Sequence, residues 1–338
     1  MNPFDSKHDP RLADFQLPPH LLERTRWCER DRHDSTGRER PGGDFVLYWL
    51  RTAMRRDENP ALDVACWVAT HLDLPLLVYQ GLSDDYQFAS DRHHRFMLEG
   101  ARDLQEEFEK TGISYAFHLT TPNDPAPRLL ELARQAAWLV TEDMPVDPPR
   151  RFLNVILRET SVPTLAVDTA CVVPMQVVGQ AFTRAFEYRT ATAAEYRQRV
   201  DQHWPERIAH PRPFALATLP FQSLDLANCD LQDLIARCRI DHSVGPIAGT
   251  KGGSRAGYDR WQTFVADGLN QYDQRRNNPL QNGVSRLSAY LHYGMVSPFR
   301  IAREAHQATS PGAEKFLDEL LIWRELAYGY CFYTKHYD

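Results

Sequence analysis

The 338-residue chain contains no uncharged apolar run of the ~20 residues that a membrane-spanning helix requires. Its opening residues, Met1 to Pro10, lack the apolar centre of a secretory signal. Cysteine is sparse and scattered: the six at positions 28, 66, 171, 229, 238 and 331 show no CxxC spacing. That argues against a disulfide scaffold and for free thiols in a reducing cytoplasm. The thirteen histidines form no HxxxH or HxH pattern, so a zinc centre is not expected. No GxGxxG fingerprint, P-loop, internal repeat or low-complexity tract is present. Charge of one sign is not in large excess: 39 Lys/Arg against 45 Asp/Glu leaves −6. This excludes a protein that coats nucleic acid through charge alone, yet allows a local basic site.

What is present describes a soluble globular protein, 43% hydrophobic and 25% charged, with enough length for about two domains. Residues 1–43 are polar and Pro/Gly-punctuated, and read as a loosely held N-terminal arm with one short helix near Leu21–Arg30. Over 44–171 short apolar runs alternate with helical patterns. Strands are expected at Phe45–Leu50, Leu74–Tyr79, Ser114–Leu119, Ala137–Thr141 and Val162–Val167. Helices are expected over 59–72, 91–111, 126–135 and 149–159, with Asn59 as an N-cap and Pro60 at the first helical position. That alternation predicts an α/β domain, a parallel, Rossmann-like sheet covered on both faces. Residues 172–253 carry many prolines and read as a long, irregular interdomain linker with short helical pieces. Residues 254–338 read as all-α, with helices near 256–270, 284–292, 298–307 and 312–333.

The helical part holds the densest chemistry. Ser285 and Ser288 stand three residues apart near the start of a short helix. Paired hydroxyls and free N–H groups there suit a phosphate, while an N-cap followed by a neutral surface serine fits the spacing equally. Residues 241–310 are net +3 on a chain of net −6, which is consistent with either a phosphate-docking zone or a solvated basic face. On an α-helix over 312–333, Glu319 and Trp323 share a face, and Arg324 lies roughly 140° from Glu319, on the side of Leu317, Leu320 and Leu321. An arginine on that side needs a partner.

These segments resemble the flavin domain of the DNA photolyase/cryptochrome superfamily, most closely class II cyclobutane pyrimidine dimer photolyases. The likeness rests on Tyr272, Arg276-Asn-Asn-Pro279, the run Ser285-Arg-Leu-Ser-Ala-Tyr-Leu-His-Tyr-Gly-Met-Val-Ser297, and the Glu319-x-x-x-Trp323 spacing. It extends to Val46-Leu-Tyr-Trp49, Arg55, Asn59 to Leu62, Arg92, Phe96 to Gly100, Val172-Val-Pro174 and Glu187-Tyr-Arg-Thr190, and so covers roughly 44–338. Asn278 stands where the class II pattern has Asp, and Val284 where some relatives carry a hydroxyl.

The resemblance implies a lyase that uses light to repair cyclobutane pyrimidine dimers in DNA. Reduced FAD would donate an electron to a flipped-out dimer, for which a damaged, poorly stacked pair is well suited. Tyr272, Val284, Ser285, Arg286, Leu287, Ser288 and Arg324 would contact FAD. Arg276 would meet a DNA phosphate. Trp323 would stack on the dimer, and Glu319 would hydrogen-bond its base edge while carrying a proton. An antenna chromophore, a deazaflavin or a folate, is found in such α/β domains, and the residues here do not decide for or against one. The family's helical domain continues past the position of Asp338. The resemblance therefore implies an incomplete, C-terminally truncated FAD-binding domain, lacking the Asn or Asp near flavin N5 and the acidic partner of Arg324. A probable monomer is implied, with damaged DNA as partner and no membrane. Two other readings stay open: a cryptochrome-like flavin photoreceptor without repair, and an inactive remnant.

Overall fold

The computed structural model describes residues 10–28, 42–122, 124–334 and 337. A sheet ordered β1-β6-β5-β2-β3-β4 organises the first half. Its strands are β1 (Thr25–Trp27), β2 (Val46–Trp49), β3 (Pro75–Ser83), β4 (Ser114–Thr120), β5 (Trp138–Glu142) and β6 (Thr164–Val167). β2 to β6 run parallel, and a two-residue strand, β7 (Arg212–Pro213), pairs with the start of β3. All four residues of β2 are buried, as a central strand covered on both faces requires. The expected crossover helices form at Pro60–His71, Asp91–Thr111, Arg128–Gln135 and Pro149–Glu159. The Asn59 side chain accepts from the Leu62 N–H at 3.1 Å, so the N-cap is real. Gly112, at φ 70°, closes the longest of these helices in the left-handed region.

Three segments differ from the sequence reading. The helix expected near Leu21–Arg30 is only Pro19–Leu22; the chain then turns into β1, antiparallel to β6. Leu12, Phe15, Leu17 and Leu21 are buried, so the described part of the supposed loose arm is core. Its apolar residues are few, but all four find the sheet. Residues 1–9 and 29–41 lie outside the described residues. The supposedly irregular 172–253 contains a fifteen-residue helix, Ala185–Arg199. The prolines cluster on either side of it, and its own stretch is free of Pro and Gly and rich in Ala, Glu and Arg, which favour helix. Finally, 312–333 is not one α-helix. It is Pro311–Leu317, a π segment Asp318–Trp323, and Arg324–Tyr333.

The two halves meet through buried polar contacts. Arg55, 2% exposed, donates to the carbonyls of Glu58, Thr169 and Gly294. Arg303 pairs with Glu58 at 2.7 Å, and Ser297 donates to the same carboxylate. Gly294 sits at φ 64°, and a Cβ there would fall 2.1 Å from the Thr52 carbonyl oxygen. Only glycine allows both that backbone and that approach.

Candidate functional site

The helix Ser254–Asp267, the short helix Tyr272–Arg275 and the helix Pro311–Leu317 share an aromatic floor. The Tyr272 ring meets Phe316 edge-on at 5.5 Å and Phe264 at 5.9 Å. Above it Arg276 Nη1 lies 2.9 Å from Glu319 Oε1, and Lys315 Nζ lies 2.8 Å from the same oxygen. Lys315 also reaches Asp318 at 2.9 Å, and Arg189 of the 185–199 helix pairs with Asp318. Burial, with Glu319 close by, raises the Tyr272 hydroxyl above its ordinary value. The structure thus brings Tyr272, Arg276 and Glu319 together and adds Lys315, which sequence reasoning did not select. Both neighbours of Oε1 are cationic donors.

Trp323 follows on the π segment and is 51% exposed. Here the Arg324 N–H bonds the Glu319 carbonyl, five residues back. A π turn holds more residues than an α turn, so the five-residue step turns through less than the α-helical angle. The Arg324 side chain nevertheless leaves the cluster. Its Nη1 donates to the Ala170 carbonyl at 2.7 Å, and its guanidinium lies 4.9 Å from the Tyr328 ring. Asp168 fixes that loop by accepting from the N–H groups of Ala170, Cys171 and Met175. Arg24, from the N-terminal segment, holds the carbonyls of Asp168 and Cys171.

The expected helix 284–292 begins only at Ser288, because Arg286 takes φ 54° and cannot belong to it. Val284, Arg286 and Ser288 are exposed, Ser285 is half-buried, and Leu287 is buried and anchors the turn. The Ser285 hydroxyl accepts from the Leu287 N–H at 3.4 Å within the turn, and the helix that follows, with Leu287 at its N-cap position, has no side-chain cap among the described residues. A left-handed Arg286 followed by right-handed Leu287 (φ −84°, ψ −6°) turns successive N–H groups toward one point, a backbone arrangement that receives anions. The turn joins the cluster through Gly283, where a Cβ would meet the Arg275 backbone. Exposed hydroxyls and converging amides fit the phosphates of a dinucleotide such as FAD. Among the described residues no hydrogen bond or ion pair links Arg324 to this turn.

Sequence reasoning also missed Glu325. It is 1% exposed and accepts from the N–H groups of Val172 and Val173 at 2.7 and 3.2 Å. The Tyr196 hydroxyl lies 2.8 Å from its Oε2 and also bonds the Leu321 carbonyl. Burial pushes Glu325 up to about 8, against the Val172 N–H, Tyr196 and Arg324, which favour the ion. The clue in the sequence was its place one residue from Arg324 on an apolar stripe.

Ligands of doubly wound sheets bind beyond the strand ends where the order reverses, here between β2 and β5. In this protein Arg51 and Glu142 fill that crevice. The Arg51 guanidinium bonds Thr141 Oγ1 and the Pro149 carbonyl and stacks 4.3 Å from the Trp49 ring, and Tyr48 donates to Glu142 at 2.7 Å. Cavities of about 360 and 530 Å³ lie elsewhere, one beside Tyr115 and Leu224, the other among Asp63, Cys66, Trp204 and Arg207. Neither is lined by the cluster. All six cysteines are free, and no helix among the described residues is long and apolar enough to cross a membrane.

A parallel, doubly wound sheet followed by helices bearing a tyrosine, an anion-receiving turn and an exposed indole is the plan of the flavin-dependent photoenzymes and photoreceptors. The DNA photolyase family model matches residues 46–212. A deoxyribodipyrimidine photo-lyase of Methanothermobacter thermautotrophicus is 29% identical over 297 residues, covering 87% of this chain and 63% of the relative. One of Arabidopsis thaliana is 30% identical over 306 residues, covering 87% and 60%. Both alignments extend well beyond the stretch matched by the family model. The chain spans about three-fifths of the length of these curated relatives. A cryptochrome of Synechocystis superposes with TM-score 0.62 at 16% identity, covering 84% of this chain and 60% of the other. A class III photolyase of Agrobacterium tumefaciens superposes with TM-score 0.60 at 17% identity, covering 89% and 61%. This chain belongs to the DNA photolyase/cryptochrome superfamily.

Proposed function

We propose that the chain serves the light-driven splitting of cyclobutane pyrimidine dimers in DNA, in the manner of class II photolyases. The observation that carries this reading is the half-exposed Trp323 four residues after Glu319, whose carboxylate pairs with Arg276. A flavin photoreceptor has no use for an indole, a guanidinium and a carboxylate facing outward together. Val284, Ser285, Arg286, Leu287 and Ser288 would hold the FAD phosphates through backbone and hydroxyl groups, with Tyr272 alongside. Arg324 is placed in the wall toward the 168–175 loop. Reduced flavin, when bound, supplies the electron that light promotes. Trp323 offers a stacking face to the flipped dimer, Arg276 a charge to a phosphate, and Glu319 an acceptor to the imide edge of the bases.

Base–aromatic stacking contributes about 1–3 kcal/mol per base, or roughly 5- to 150-fold in affinity. Trp323→Ala should therefore weaken binding to a dimer-containing oligonucleotide by at least fivefold and leave binding to the undamaged strand within twofold. Fluorescence anisotropy on both probes measures this, and an equal loss on the two contradicts the stacking role. Arg276→Ala should weaken binding to both probes and lower the slope of log affinity against log salt by about 0.7 on single strands. An unchanged slope removes Arg276 from the phosphate contact. For the activity itself, the chain reconstituted with FAD and illuminated in blue should remove dimers from the oligonucleotide; bound flavin without dimer loss contradicts repair.

A further inference from the structure

Glu319 Oε1 is shared by Arg276 and Lys315 at 2.9 and 2.8 Å, and the three side chains are about one-third exposed or less. The two cations do not stand alike. Lys315 is one helical turn before Glu319, is held by Asp318 as well, and needs no rearrangement to stay there. Arg276 comes from a separate segment, directly after a four-residue helix, and among the described residues the Arg276–Glu319 pair is the only ion pair that ties it to the 311–323 stretch. Asp318, the other carboxylate nearby, is taken by Lys315 and Arg189. A phosphate competes with Glu319 for this guanidinium and can draw it away. The carboxylate then keeps one cation and faces an approaching polyanion.

From this geometry we infer that the Arg276–Glu319 pair is a specificity gate, closed against undamaged strands and opened by a pyrimidine pair that offers imide N–H donors to Glu319. The inference rests on the proposed function and deepens it at the same site. An undamaged strand gains the Arg276–phosphate contact but leaves Glu319 short of a donor. A flipped dimer gives Arg276 its phosphate and Glu319 a replacement hydrogen bond in one event. Discrimination thus arises partly from an interaction made against the wrong ligand. Lys315 is the positioning residue: it keeps the carboxylate at the mouth and neutralised while Arg276 is away.

The test is a cycle of Glu319→Gln, Arg276→Ala and the double variant, with Lys315→Met alongside. Each is titrated with labelled single strands with and without one thymine dimer, at several KCl concentrations. A partly exposed ion pair has the strength to hold back phosphate capture by about two- to fivefold. Glu319→Gln should therefore raise affinity for the undamaged strand by that factor. In the Arg276→Ala background the same change should have less than half that effect, since there is no guanidinium to release. Lys315→Met leaves Arg276 as the sole partner of Glu319 and should lower affinity for the undamaged strand. A Glu319→Gln gain of the same size in both backgrounds would reveal only the loss of one negative charge, and would overturn the gate. So would equal weakening on both probes. A wild-type chain that binds both probes equally overturns the repair reading itself, which separates the two failures. Circular dichroism spectra and Tm values matching wild type establish that each variant is folded.

Discussion

Arg55→Ala is expected to lower stability by about 3–5 kcal/mol, because it strips donors from two buried carbonyls and a half-buried one at once and leaves a cavity. Among the described residues no carboxylate accepts from this guanidinium, and its hydrogen bonds go to the backbone of Glu58, Thr169 and Gly294. Burial pulls it below its ordinary value, and it remains a cation at neutral pH. The three carbonyls belong to the loop after β2, the loop after β6 and the helical half, so one side chain ties all three. Urea denaturation of wild type and variant measures the loss. A change below 1 kcal/mol would show that water satisfies the carbonyls equally well. Arg55→Lys should recover less than half, since an ammonium cannot span acceptors that a planar fork reaches.

The second large effect is a pH dependence set by Glu325. Its folded value is about 8 against an ordinary 4.5, so between those values the unfolded chain releases a proton that the folded chain keeps. Stability from this group is therefore full below about pH 4.5, falls as pH rises through the window to about 8, and is level above it. The fall is on the order of 3–5 kcal/mol. Four histidines, His20, His94, His118 and His292, are held below their ordinary value by burial and act in the opposite sense, losing stability as pH falls. The wild-type curve alone mixes the two. Glu325→Gln imitates the neutral carboxyl, with an N–H for the Tyr196 oxygen and a carbonyl for Val172. Subtracting its curve from that of wild type should leave a difference that slopes between pH 5 and 8. A flat difference would mean that Glu325 is ionised in the fold.

The alternating half of the protein was legible because buried parallel strands and their covering helices impose strong, different periods on the sequence. Helix starts were legible where a side chain makes the cap, as at Asn59. What escaped was set by partners distant in sequence. β1 is three residues long and exists by pairing with β6; no local pattern marks it. The 185–199 helix has little amphipathic contrast and hid between proline-rich flanks. The π segment has the composition of an α-helix, and only its hydrogen bonds tell them apart. At the site, motif and spacing located Tyr272, Arg276, Glu319 and Trp323 one by one. That Arg276 closes on Glu319, with Lys315 sharing the oxygen, is a fact of tertiary geometry. Glu325 and Arg55 matter through the backbone groups they hold, and backbone groups carry no signature in sequence.

The wider coil at Asp318–Trp323 sets the phase between two jobs done by one rod. Lys315 before it and Glu319 at its start look outward; downstream Arg324 and Glu325 grip the 170–173 strap. Tightening this coil to the ordinary pitch with all six residues kept would swing everything beyond it by about 100°. The outward groups would keep their stations while the grip on the strap was lost, so the pitch of this short stretch is as much a determinant of the architecture as its letters.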